Sequence, residues 1–128
     1  PDSAVTHHAI GNLHVRAGRW YKAIDQYKAA LALDPDFIEA TNNLGATLAR
    51  LGDTDEAIQL LTAALSRHPD NAMLHANLGT VYLKAGDDES AERAFTSALK
   101  LDPNCKPAEV GLGRLRSRKE RRGDILLP

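Results

Sequence analysis

Residues 69–103, PDNAMLHANLGTVYLKAGDDESAERAFTSALKLDP, run from one proline to the next, and their punctuation decides the fold. After Pro69 and Asp70 comes a stretch that ends on Lys84 and Gly86; after Asp87 a second stretch runs to Pro103. Apolar side chains three and four residues apart mark one face of a helix. Glycine closes a helix in the left-handed conformation at little steric cost, and proline lacks the N–H to continue one. The segment therefore predicts two helices joined by a tight turn.

The same punctuation lies on a lattice that spans the chain. Gly11, Gly45, Gly79 and Gly113 are 34 residues apart, as are Gly18, Gly52 and Gly86, and as are Pro1, Pro35, Pro69 and Pro103. Small residues keep the period in Ala23, Ala57, Ala91 and in Ala30, Ala64, Ala98. Each period carries helical apolar spacing, as in Ile10, Leu13 and Ala17, then Ile24, Tyr27 and Leu31. Self-similarity of this length marks an array of hairpins that share their cores with neighbours. One domain over 1–128 is predicted, with repeats 4–37, 38–71 and 72–105, a capping helix over about 106–122 and a tail 123–128. Pro1 already stands at the proline position and no initiator methionine or signal peptide precedes it, so the chain reads as a segment of a longer protein.

Local chemistry sets further expectations. Asp2, Asp36, Asp70 and Asn104 each follow a lattice proline and are expected to cap the first helices, with Asp36 and Glu39 as a capping-box variant. Asp53 and Asp87 are expected to cap second helices, and Arg16, Arg50 and Lys84 suit the negative ends of first helices. Gly11 is expected to face the neighbourhood of Ala23, and Trp20 and Tyr21 to pin the start of a second helix. A bulky residue at Gly45 or Ala57 would overpack the joint at a cost of about 1–3 kcal/mol.

Composition narrows the function classes. With 43% hydrophobic and 26% charged residues the chain is of globular type, and a net charge of -1 supplies no overall field to gather polyanions or membranes. No apolar run approaches the roughly 18 residues of a bilayer helix. Charge is divided unevenly: residues 106–128 hold seven Lys/Arg against three Asp/Glu, and residues 1–105 hold nine against fourteen. The single Cys105 excludes an intramolecular disulfide and fits a reducing, cytoplasmic setting without establishing one. His7 and His14 lie two helical turns apart, His8 points to another side and His75 is two repeats away, so no metal site is expected. Nothing orients a base against a nucleophile, and no clustered glycines precede a helix to cradle phosphate. Neither catalytic residues nor a cofactor are predicted.

The lattice closely resembles the tetratricopeptide repeat family, whose 34-residue unit carries a large residue, Leu-Gly, an aromatic, an alanine, another aromatic and a closing proline. The third unit matches with His75, Leu78-Gly79, Tyr82, Ala91, Phe95, Ala98 and Pro103. The first has His7, Ile10-Gly11, His14, Ala23, Tyr27, Ala30 and Pro35, and the second Thr41, Leu44-Gly45, Leu48, Ala57, Leu61, Ala64 and Pro69. Departures fall at bulky positions, and Arg116 takes the aromatic place in the fourth, incomplete unit. The resemblance covers about residues 4–119 and implies an all-α, right-handed superhelical solenoid of antiparallel helix hairpins, three units and a C-terminal capping helix.

It also implies that first helices line a concave groove. Their groove sides would present Val5, His8, Asn12 and Arg16; Glu39, Asn42, Asn43 and Arg50; Met73, Asn77, Thr80 and Lys84; then Arg114 and Arg118. Of these, Asn12, Arg16, Asn42, Asn43, Arg50, Asn77, Lys84, Arg114 and Arg118 are the candidate ligand-binding residues. Asparagine offers donor and acceptor to peptide amides, and the basic side chains favour carboxylates, so the expected partner is a protein or an acidic peptide. Some family members clamp a chaperone's terminal carboxylate. Only Asn12 and Asn43 match that clamp; His8, Met73 and Asn77 stand where it has Lys or Arg, so a clamp of that type is not expected. The asparagines also resemble the ladder of repeat domains that guide substrates to an attached glycosyltransferase, which makes a docking or regulatory arm of an enzyme the alternative. A further alternative, nucleic-acid binding through Arg114 to Arg122, lacks interleaved aromatics. Self-association through an exposed repeat end, or through Ile125, Leu126 and Leu127, is a third partner expectation, and no membrane partner is expected.

Overall fold

The computed structural model describes residues 3–123, and among them the secondary structure is entirely helical. The helices are α1 (Ala4–Arg16), α2 (Trp20–Leu33), α3 (Ile38–Arg50), α4 (Thr54–Arg67), α5 (Ala72–Ala85), α6 (Asp88–Leu101) and α7 (Lys106–Arg121). First helices begin at Ala4, Ile38, Ala72 and Lys106, and second helices at Trp20, Thr54 and Asp88, so the 34-residue period holds to the residue. The fold class is an all-α helical-repeat solenoid. None of these helices is long and apolar enough to cross a membrane. The chain divides between Pro69 and Asp70 into two compact units, α1–α4 and α5–α7, as expected where each hairpin packs chiefly on its neighbours.

The turns follow the glycine signal. Gly18, Gly52 and Gly86 have φ of 74°, 87° and 85°, the left-handed region that a side chain would strain. The N-termini correct the capping expectation by one residue. α1 is capped by Ser3, whose hydroxyl accepts from the Thr6 N–H, and α5 by Asn71, which accepts from Leu74 N–H. Asp70 precedes that cap, and Asp2 lies outside the described residues. Phe37 and Cys105 occupy the caps of α3 and α7 without a side-chain hydrogen bond, so Asp36 and Asn104 are not caps and Asp36 with Glu39 forms no capping box. The reason is a turn closed upstream: Asp34 and Asp102 accept from the N–H groups of Asp36 and Asn104. Asp36 is thereby left to meet His68 Nε2 at 3.0 Å and Arg67 Nε at 3.7 Å. Among second helices, Asp53 and Asp87 do occupy the caps of α4 and α6, but only Asp87 accepts a hydrogen bond, from Ser90 N–H.

In the first unit the core gathers Tyr27, Leu48 and Leu61 with Ala23, Ala30, Ala57 and Ala64. Gly11 faces Tyr27, one turn along α2 from Ala23: a Cβ there would lie 2.6 Å from ring Cε1. Thr41 and Thr47 are buried with each hydroxyl donating to the carbonyl four residues back, Thr47 to Asn43 at 2.7 Å and Thr41 to Phe37 at a long 3.4 Å. Trp20 opens α2 with Arg50 stacked 4.4 Å over its ring, whereas Tyr21 is 71% exposed and pins nothing.

In the second unit Phe95 is fully buried among Ala76, Ala91, Ala98, Ala108 and Leu115. Its ring is flanked by two glycines, Gly79 from its own hairpin and Gly111 from α7. At Gly113, the lattice position of α7, a Cβ would meet nothing. α7 is fastened electrostatically: Asp88 receives Arg118 at 3.3 Å and Arg122 at 2.9 Å, Lys119 meets Glu92 at 3.2 Å, and Arg118 also donates to the Leu83 carbonyl near the end of α5.

Candidate functional site

Two recesses lie between successive first helices, one in each unit. The first is formed by α1 and α3. It has a volume of about 250 Å³ and is lined by Asn12, Val15, Arg16, Tyr27, Asn43, Ala46 and Thr47. Helical spacing puts Asn12, Val15 and Arg16 on one side of α1, and Asn43, Ala46 and Thr47 repeat that spacing on α3.

A hydrogen-bonded chain fixes the two asparagines. Tyr27 rises from the core of α2 and donates its hydroxyl to Asn12 Oδ1 at 2.6 Å. Asn43 donates to the same oxygen at 3.1 Å and to His8 Nε2 at 2.8 Å. The His8 ring is packed 4.8 Å from Phe37 and 5.8 Å from Tyr27. Burial of Tyr27 removes water that would stabilise the phenolate, and pushes its hydroxyl above the ordinary tyrosine value, so it remains a donor. Asn43 thus spends both amide hydrogens and Asn12 both acceptor sites inside the protein. The Asn12 side-chain nitrogen Nδ2 and the Asn43 side-chain oxygen Oδ1 take no part in this network, and a donor and an acceptor of that kind are complementary to a peptide group.

The second recess, between α5 and α7, has a volume of about 590 Å³ and is lined by Leu83, Val110, Gly113, Arg114, Ser117, Arg118 and Arg121. It is basic where the first is largely neutral. Arg118 is engaged by Asp88 and the Leu83 carbonyl, while Arg114 and Arg121 have no carboxylate partner among the described residues.

The structure therefore brings Asn12, Arg16 and Asn43 together in one unit and Arg114 with Arg118 in the other. Arg50 turns away to stack on Trp20, and Lys84 is exposed in the last turn of α5. Asn42 and Asn77 are half-buried outside both recesses, Asn42 with its Oδ1 enclosed and without a hydrogen-bond donor. Sequence reasoning missed His8 and Tyr27 as the anchors of the asparagines, missed Val110, and named Arg121 only within the basic stretch Arg114 to Arg122. The lattice held a signal for Val110, which stands three periods after His8. Among the described residues no three His, Cys, Asp or Glu side chains gather as a metal would need.

Comparison with known proteins bears on this geometry. Tetratricopeptide repeat models match residues 8–72 and 48–112. The TPR domain of Arabidopsis OM64 is 26% identical, with a TM-score of 0.80 over 90% of this chain and 95% of that one. The Sgt2 TPR domain from Aspergillus fumigatus superposes with a TM-score of 0.85 at 20% identity, over 98% of this chain and 84% of that one. The first TPR of Spaghetti (RPAP3), solved bound to the HSP90 peptide SRMEEVD, gives 0.80 at 21% identity over 90% and 91% of the two chains. No curated protein matches the chain.

Proposed function

Since the chain belongs to the tetratricopeptide repeat family, we propose that it is a non-catalytic protein-interaction scaffold that holds an extended peptide segment against the surface of α1 and α3. The observation that carries this reading is the Asn12–Asn43 pair, which lines the recess and is held in place by Tyr27 and His8. A peptide group offers one acceptor and one donor, so the pair reads backbone rather than side chain and accepts many sequences. Orientation in advance matters because two half-buried amides that are already hydrogen-bonded lose little freedom on binding. Arg16 at the edge of the same recess adds a preference for carboxylates on the peptide. The first TPR of Spaghetti, similar in fold, is bound to an HSP90 peptide, which supports a peptide as the class of partner.

The test is isothermal titration against a panel of immobilised and soluble extended peptides. Asn12→Ala combined with Asn43→Ala is expected to weaken binding about tenfold, the scale of one or two hydrogen bonds at about 0.5–1.5 kcal/mol each. Affinity unchanged by the double substitution, with the fold intact by circular dichroism, removes these asparagines from recognition.

A further inference from the structure

We infer that the recess between α5 and α7 is a second, chemically distinct subsite, which takes an acidic side chain together with an aliphatic neighbour from a bound peptide. The inference rests on the peptide-scaffold reading and assigns a ligand class to a site in the other unit. Its floor is apolar: Val110 is 53% exposed and Leu83 half-buried, so an aliphatic group seated there removes apolar surface from water. Its rim is cationic. Arg114 and Arg121 lie along one side of α7 with no carboxylate partner among the described residues, while Arg118 is fixed by Asp88 and the Leu83 carbonyl. A guanidinium matches a carboxylate with two parallel hydrogen bonds, and a charge left unpaired beside an apolar floor favours an anion that brings its own aliphatic chain. The recess is open to solvent, with a volume of about 590 Å³, and so suits side chains of a peptide lying across it.

The apolar lining favours a peptide over a polynucleotide. Lys119 pairs with Glu92, and Arg118 and Arg122 share the single carboxylate of Asp88, which leaves Arg114 and Arg121 as the carboxylate-free cations of the recess while Arg116 lies outside it; Leu83 and Val110 offer an aliphatic side chain a seat and a phosphate backbone none. No aromatic side chain lines the recess to stack a base.

The probes are three fluorescein-labelled peptides of equal length: one alternating glutamate and leucine, its glutamine–leucine counterpart and its glutamate–serine counterpart. Fluorescence anisotropy is expected to show the glutamate–leucine peptide bound most tightly, with affinity falling as salt is raised. Arg114→Gln with Arg121→Gln should weaken that peptide roughly tenfold, because two part-exposed ion pairs contribute a few-fold each, and should leave the glutamine–leucine peptide unchanged. Gly113→Leu provides an independent arm. A Cβ at Gly113 meets nothing, so the leucine fills the recess, weakens the glutamate–leucine peptide and leaves the thermal midpoint equal or higher. Equal binding of all three peptides, or full affinity in both variants, overturns the assignment. So does a single-stranded RNA oligonucleotide bound more tightly than the peptide, or self-association in sedimentation equilibrium that the arginine pair controls while the peptide is unaffected. Asn12→Ala with Asn43→Ala in the same assays separates the two readings: if it weakens the glutamine–leucine peptide and the arginine pair is silent, only the acidic subsite falls.

Discussion

Gly79 lies so close to Phe95 that a Cβ on the glycine would sit 2.6 Å from ring Cε1. The corresponding contact in the preceding hairpin is looser, with Gly45 at 3.3 Å from the branched end of Leu61. These equivalent lattice positions are therefore unequal in what they tolerate. Alanine in a helix interior is favoured over glycine by about 1 kcal/mol, and overpacking costs about 1–3 kcal/mol. At Gly45 the flexible Leu61 side chain can give way, so Gly45→Ala is expected to be neutral or stabilising by up to about 1 kcal/mol. At Gly79 a rigid ring also braced by Gly111 cannot retreat, so Gly79→Ala is expected to destabilise by about 1–2 kcal/mol. Urea unfolding of the two variants decides between this difference and equal behaviour.

Removing the Tyr27 hydroxyl separates packing from recognition. Tyr27→Phe keeps the buried ring against Gly11 and deletes the donor to Asn12 Oδ1. A stability loss of about 1 kcal/mol is expected, the net worth of one hydrogen bond. Asn12 is then held only by Asn43, and peptide affinity should fall although Tyr27 is itself buried. Titration calorimetry that finds stability reduced and affinity intact would place the orientation of Asn12 elsewhere.

The hairpins were legible in the sequence because glycine, alanine and proline act through local sterics that any copy of the unit must obey. Helix starts at Ala4, Ile38, Ala72 and Lys106 follow directly from that period. The caps were less legible. An Asp after proline has two competing uses, and the turn closed by Asp34 left Asp36 outside the helix, free to meet Arg67 and His68. Side chains of the candidate site were legible only as types. Asn12 and Asn43 could be named from register, but their donor and acceptor directions depend on Tyr27 and His8, which sequence spacing assigns to the core and to the groove without linking them. The basic side chains at 34-residue steps are likewise chemically alike and physically different: Arg50 stacks on an indole and Arg118 is bound to a carboxylate.

Asp88 is the post to which α7 is tied. Its side chain is 14% exposed and receives both Arg118 and Arg122. Asp88→Ala removes the shared partner and leaves Arg118 half-buried with only the Leu83 carbonyl to satisfy it. The expected loss is about 1–3 kcal/mol, larger than for an exposed pair because of the burial. Most of it should appear as fraying of α7, since Leu115 and Ala108 still pack on Phe95. Hydrogen exchange should therefore accelerate in α7 more than in α5; uniform acceleration across the unit would mean that the pairs hold the whole core.

Asp87 gives the acidic limb of stability a specific origin. Hydrogen bonds from Ser90, from its hydroxyl first and its backbone N–H second, hold the Asp87 carboxyl below its ordinary value. A carboxyl whose value is lowered on folding stabilises the folded form above the unfolded value, about 3.9, and loses that contribution as pH falls through the lower folded value. The first turn of α6 should accordingly loosen below about pH 4. Asp87→Asn retains an oxygen that can accept from Ser90 N–H but carries no titrating proton, so its α6 N-terminus should show the same protection on both sides of that window. Amide exchange at Ser90 across the acid range measures the difference directly. If the parent and Asp87→Asn proteins lose protection at Ser90 in parallel, the acid sensitivity belongs to another carboxylate and the cap is held by geometry alone.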